Sequence, residues 1–206
     1  MAKELTRAQL EELYLPPSDR FVEVDVPRTK YFMVDGRGDP HTKANGAVLR
    51  WLFAAIEPAR RLAKERMGKA FVAPPLECLW TADDPADLAA ARKERLDWCM
   101  MIPAANWMTA TLLKEGVTEG RERLGDPPET LRFGRLHEGR CVQIMHVGPN
   151  AKEAATLRRL YRDHLPANGL VPSGPYHEIY LNDPRRTAPE RLRTVLRQPV
   201  RPCPSR

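Results

Sequence analysis

The sequence predicts an α+β fold: one domain of two similar halves, with helices packed on one side of an antiparallel sheet. Three observations carry this. Short runs alternating polar and apolar residues are interleaved with two stretches of unbroken helical periodicity. The order strand, helix, strand, strand occurs twice along the chain. A Gly turn leading into a helix recurs as VDGRGDPHT and HVGPNAKE, and a Pro-led, Glu-bearing strand recurs as PLECLW and PYHEIYL, about half a chain apart. With 206 residues, 42% of them hydrophobic, the chain has the apolar content for one large core.

Thr6 to Tyr14 suits a short helix, ended by Pro16 and Pro17. FVEVDVP (21–27) sets Phe21, Glu23 and Asp25 against Val22, Val24 and Val26, and YFMVDG (31–36) is a second strand closed by a Gly turn. Thr42 offers an N-cap to a long helix over about 43–66, whose apolar residues from Ala44 to Ala63 keep the i, i+3, i+4 spacing. Pro58 is expected to kink that helix or end its first part. PPLECLW (74–80) and DWCMMI (97–102) have strand character, with ADDPADLAAARKER (82–95) between them as a helical insertion or loop. Trp107 to about Arg123 reads as a surface helix before the breaker GDPP. LRFGRL (131–136) and RCVQIMHVG (140–148) are expected to form a hairpin turning at Glu138–Gly139. A helix follows over about 151–165, with Ala154, Leu157, Tyr161 and Leu165 along one stripe, and PYHEIYL (175–181) and LRTVLRQPV (192–200) close the second half. The domain is expected to span 21–200, in modules of about 21–125 and 130–200. It is preceded by an N-terminal segment (1–20) and followed by a frayed tail at 201–206.

Lys and Arg (33) exceed Asp and Glu (27), giving a net charge of +6. The basic residues are dispersed, with much of the excess after Pro184, which reads as a solvated surface. Direct nucleic-acid binding is not expected, because the segment before the first strand is too short for a helix-turn-helix and its supporting helices. No run approaches the ~18 apolar residues of a membrane span, and the first residues lack the apolar stretch of a signal peptide. Cys78, Cys99, Cys141 and Cys203 lie far apart without a C-x-x-C pair, which suits a reduced, cytoplasmic protein without structural metal. The sequence contains no nucleophile elbow, phosphate loop or metal-binding histidine spacing, and GRGDP (36–40) lacks the third glycine of a dinucleotide site. No cofactor is expected.

What remains is an aromatic and carboxylate constellation on strands. In PYHEIYL the period of two places Tyr176, Glu178 and Tyr180 on one face and His177, Ile179 and Leu181 on the other. The second set is apolar enough to face the helices, which leaves a carboxylate between two phenols on the opposite, groove-side face. Trp80 and Trp98 are either core residues or the walls of that groove. Met101, Glu77 and His146 are further candidates for its lining, against the plainer reading of Glu77 and His146 as surface or paired residues. Trp, Tyr and Met around one Glu suit a flat, aromatic, cationic ligand. Ring stacking supplies area, a cation is drawn to the ring faces, and the carboxylate fixes orientation.

PPLECLW, DWCMMIP, EGRCVQIMHVGP, HEIYLNDPRRT and TVLRQPV together resemble the GyrI-like small-molecule-binding family, in its stand-alone branch, over roughly Tyr14 to Val200. The resemblance implies two strand–helix–strand–strand modules related by a pseudo-twofold axis, with a ligand groove between them. It also implies binding of bulky, often planar and cationic compounds around a central Glu, which the match to HEIYL places on Glu178. The branch includes hydrolases of cyclopropanoid DNA-alkylating compounds. By that similarity Glu178 would orient or deprotonate water, Tyr180 or Tyr176 would donate to the ketone oxygen, and Trp80 and Trp98 would clamp the substrate. A ligand sequestrant or sensor without chemistry, and a gyrase-inhibitor-like protein that binds a protein partner, are the alternatives. Cys78 stands where family members often carry Gly, and Thr81 replaces a second Trp, which shrinks the stacking wall.

Overall fold

The computed structural model describes residues 5–40, 42–68, 75–82, 88, 93–105 and 107–204. The long amphipathic run becomes helix α2 (Lys43–Met67), started by the Thr42 side chain accepting from the Asn45 backbone N–H and stopped at Gly68 in the left-handed region. It continues past Pro58 instead of ending there. Helix α3 (Ala110–Leu124) lies against α2, with Leu112, Leu113, Gly116 and Gly120 on its buried side. The approach is close enough that a Cβ on Gly116 would sit 2.1 Å from the Ala55 carbonyl oxygen. Gly116→Ala is therefore expected to push the helices apart at a cost of about 1–3 kcal/mol. A melting temperature lowered by several degrees would show it; an unchanged one would mean the contact relaxes freely.

Strands β1 (Val22–Val26), β2 (Thr29–Arg37), β3 (Leu76–Thr81), β4 (Asp97–Ala104), β5 (Arg132–Leu136), β6 (Gly139–Val147), β8 (Tyr176–Tyr180) and β9 (Arg193–Pro202) form one antiparallel sheet in the order β1-β6-β9-β8-β3-β4-β2-β5, and a short β7 (Leu170–Pro172) pairs with β9. Exchanging the halves (β1 with β5, β2 with β6, β3 with β8, β4 with β9) reverses this order onto itself, so the sheet has a pseudo-twofold axis between β3 and β8. Matching turns bear this out: Gly38 N–H donates to Leu96 O and Gly148 N–H to Leu192 O, each at 2.9 Å. The expected hairpin at Glu138–Gly139 does not form. β5 pairs with β2 and β6 with β1, so each half lends its first strand to the other. This exchange is why the two modules make one domain.

The main core lies between the sheet and α2, α3 and α4 (Glu153–Arg158), the last continued by a π-helical turn (Arg159–His164) and a closing turn (Leu165–Ala167). Leu52, Ile56, Leu112 and Leu157 from these helices meet Phe32, Val34, Trp80, Trp98, Ile144, Tyr176 and Leu196 from the sheet. Helix α1 (Arg7–Tyr14) covers part of the other face, with Leu13 packed on Val24, Val26 and Cys141. Residues 201–203, expected to belong to a frayed tail, are instead held in place: β9 runs through Pro202 and Cys203 N–H donates to Gly169 O at 2.8 Å. The helical insertion or loop expected at 82–95 lies mostly outside the described residues, apart from a short 3-10 turn at Lys93–Arg95. Among the described residues no helix is long and apolar enough to cross a membrane.

Candidate functional site

Strands β3 and β8 run side by side on either side of the pseudo-twofold axis, and their register decides which side chains meet. Cys78 lies opposite Glu178, Trp80 opposite Tyr176 and Leu76 opposite Tyr180, while Trp98 of β4 lies opposite Trp80. Trp80, Trp98 and Tyr176 belong to the core beneath the helices. The face carrying Tyr176, Glu178 and Tyr180 is thus the helix side, and His177 and Ile179 point to the back. This reverses the orientation expected from hydropathy, because His177 is held by buried charges on the back face rather than by apolar packing.

Glu178 is 0% exposed. Tyr180 Oη donates to its Oε2 at 2.6 Å, and the Tyr176 hydroxyl is buried beside the same carboxylate. Burial first, and then the negative charge of Glu178, hold both phenols well above the usual tyrosine range, so each stays a neutral O–H. Glu153, the first residue of α4, is also 0% exposed, and its charge adds to the shift of both tyrosines. Hydropathy reading overlooks this residue. The available signal is its spacing, since Glu153 precedes Leu157 by four and shares its stripe on the buried side of the helix.

The remaining candidates divide. Trp98 Nε1 donates to Gly38 O at 3.1 Å, and its ring covers Gly36, where a Cβ would come within 2.0 Å of the indole. Trp80 and Trp98 are therefore both core residues; Trp80 lies beside Tyr176 in register, and Trp98 packs over Gly36 of β2. His146 is on the helix side of β6, largely buried, with Nε2 3.3 Å from Pro149 O. Met101 lies on the back face with Tyr31, Met33 and Leu79. Glu77 also faces the back, and its pseudo-twofold counterpart is His177, not Glu178. One residue separates Pro75 from Glu77 and two separate Pro175 from Glu178, so matching the two glutamates misaligns the halves by one residue; the register shows Cys78 as the counterpart of Glu178 and Trp80 as that of Tyr180. A surface cleft of about 430 Å³ beside Trp98 is lined also by Asp35, Arg37, Thr81, Asp97 and Pro175, without Glu178 or either site tyrosine.

Behind Glu178, on the other face, a buried polar network crosses the axis. His177 Nδ1 lies 3.1 Å from Glu138 and its Nε2 3.1 Å from Glu77 Oε2, the latter an ion-pair contact rather than a well-aligned hydrogen bond. A neutral imidazole has a single N–H, so carboxylates at both nitrogens call for the imidazolium. Burial opposes that charge, but Glu138 and Glu77 outweigh it and push His177 up to about 9. Arg197 contacts Glu138 at 3.4 Å and donates to Gln143 Oε1 at 3.0 Å and Leu13 O at 2.6 Å. Tyr14 donates to Glu77 Oε1 at 2.9 Å. Two carboxylates are thus balanced by one guanidinium and one imidazolium, and the N-terminal helix is bound to the underside of the β3–β8 seam.

The comparison that decides the family is with the model of the GyrI-like small-molecule-binding domain, which matches residues 21–201. The chain belongs to this family. Among solved GyrI-like neighbours, an uncharacterized conserved protein from Listeria innocua is 28% identical, with a TM-score of 0.83 over 95% of this chain and 98% of that one. A Listeria innocua protein named a hydrolase is 28% identical, with a TM-score of 0.78 over 94% and 98% of the two chains. The EcmrR C-terminal domain, 12% identical with a TM-score of 0.56 over 89% and 98%, shares the fold. No curated protein matches the chain.

Proposed function

We propose that this GyrI-like domain takes a bulky planar small molecule against the helix side of β3 and β8, with Glu178 as its central carboxylate, and hydrolyses a cyclopropanoid ring in it. Positive charge on the ligand suits two buried carboxylates, and Trp80 and Trp98 offer ring area for stacking. The observation that carries the reading is the 2.6 Å hydrogen bond from Tyr180 to Glu178. It couples a base to an acid within one closed site. The 28% identical neighbour named a hydrolase supports the same direction.

In the proposed step, water attacks a cyclopropane carbon and a ring C–C bond breaks. Its electron pair moves through the conjugated ketone, which becomes a phenol. Glu178 takes the proton of the attacking water. Protonated Glu178 then donates to Tyr180, which frees the Tyr180 hydrogen for the former ketone oxygen. The product is the substrate plus one water, and both side chains return to their starting states. The relay has an electrostatic reason: a bare oxyanion in a site with the buried Glu153 carboxylate would be repelled, so the oxygen leaves protonated.

Mass analysis of a cyclopropanoid probe before and after incubation tests this. A gain of one water is expected, at a rate well above the probe's decay in buffer. Saturable quenching of tryptophan fluorescence with every probe recovered unchanged would instead assign the domain as a sequestrant. Action on gyrase by a protein lacking both Glu178 and Trp80 would assign the site no part in function.

A further inference from the structure

The helix that carries Glu153 does not stay α-helical. From Arg159 to His164 its backbone widens into a π turn, a feature frequent at functional sites. Tyr161 lies inside this turn, half-buried against the core cluster that holds Tyr176, Ile144 and Leu196. Its hydroxyl is 2.6 Å from Gln198 Oε1. Which of the two groups donates is settled by the amide. Gln198 Nε2 gives its hydrogens to Gly174 O at 2.9 Å and Pro199 O at 3.0 Å. The amide oxygen can only accept, so Tyr161 spends its single hydrogen there and its oxygen keeps only acceptor capacity. Tyr180 is in the same condition, with its hydrogen on Glu178. Gly174, which Gln198 holds, lies two residues before Tyr176, so the Tyr161–Gln198 pair sits at the start of the strand that carries the site.

We infer that Tyr161 is a ligand-selecting residue of this site: its oxygen accepts a hydrogen bond from an N–H of the bound molecule, so planar cations bearing N–H groups are preferred over fully alkylated ones. This rests on the site proposed above and adds the donor chemistry of its ligand. An aromatic phosphonium or N-alkylated ring cation satisfies the carboxylates by charge alone and gains nothing from Tyr161. A ring amine gains one hydrogen bond, and Gln198 keeps the phenol from rotating to offer a hydrogen instead.

Two planar dyes separate these cases: proflavine, a cation with N–H donors, and 10-methylacridinium, a cation without them. Fluorescence titration of the full chain is expected to show proflavine bound about tenfold more tightly, the size of one hydrogen bond to a charged donor. Tyr161→Phe is expected to bring the ratio close to one by weakening proflavine alone, and retained binding of 10-methylacridinium shows that the variant is folded. Equal affinities in the unmodified chain would overturn the inference even if the variant did not fold. So would equal weakening of both dyes, which is what a purely spatial role for the ring predicts. If the unmodified chain bound neither dye while Glu178 still supported turnover, this inference would fall and the site would stand; if turnover were also absent, both would fall.

Discussion

Glu178→Gln is expected to abolish water addition to a cyclopropanoid probe while leaving its capture in place. The amide keeps the volume of the carboxylate and an oxygen able to accept from Tyr180, so the stacking surface of Trp80 and Tyr176 is undisturbed. It cannot take a proton from water. A positioned general base is worth roughly 10²–10⁴ in rate, so kcat should fall by about that factor while the quench titration changes only a few-fold. Turnover within tenfold of the unmodified protein would remove Glu178 as the base and direct attention to Glu153, the other buried carboxylate whose charge reaches Tyr176 and Tyr180. Loss of binding together with turnover would make Glu178 an anchor for ligand charge instead of a base.

Removing His177 should bring the largest loss of stability. His177→Leu leaves Glu77 and Glu138 in the interior with only Arg197 to balance them, and breaking a buried charge cluster on one side typically costs about 3–5 kcal/mol. In a chain of this size that corresponds to a melting temperature lower by roughly 6–20 °C. The same histidine gives the protein an alkaline limit. Its folded value of about 9 lies above the ordinary 6.5, so its protonation stabilises the fold fully below about pH 6.5, and that contribution is lost as the pH rises through 9. The other groups around it are Tyr14, Tyr31, Glu77, Glu138 and Arg197. Burial holds both tyrosines well above the usual range, so they remain neutral through that window. Melting curves between pH 6 and 10 should therefore fall for the unmodified chain and flatten for His177→Leu. Parallel curves would mean that His177 is neutral in the folded protein.

The fold was legible because its signals are local. The α2 stripe, the Thr42 cap and the alternation of PYHEIYL each depend on residues within a few positions of one another. The strand exchange between halves was not legible, because LRFGRL and RCVQIMHVG are as compatible with pairing to each other as with pairing to β2 and β1. Hydropathy also misplaced the two faces of β8. It weighs His177 as mildly apolar and Glu178 as exposed, yet both are buried, one among paired charges and the other among phenols. Glu77 and Glu178 each follow a strand-leading Pro, but at different distances, and only strand register separates a true counterpart from a neighbour one residue away.

The axis between β3 and β8 has a stereochemical consequence. A sheet with true twofold symmetry would present any guest with two equivalent poses, related by half a turn. Here one side of the axis offers Trp80 and Cys78, and the other offers Tyr180 and Glu178. In the proposed site a flat guest lying across the axis would meet an indole at one end and a phenol–carboxylate pair at the other, so its two poses would differ in energy. The divergence of the halves turns a symmetric cradle into one that can tell the head of a molecule from its tail.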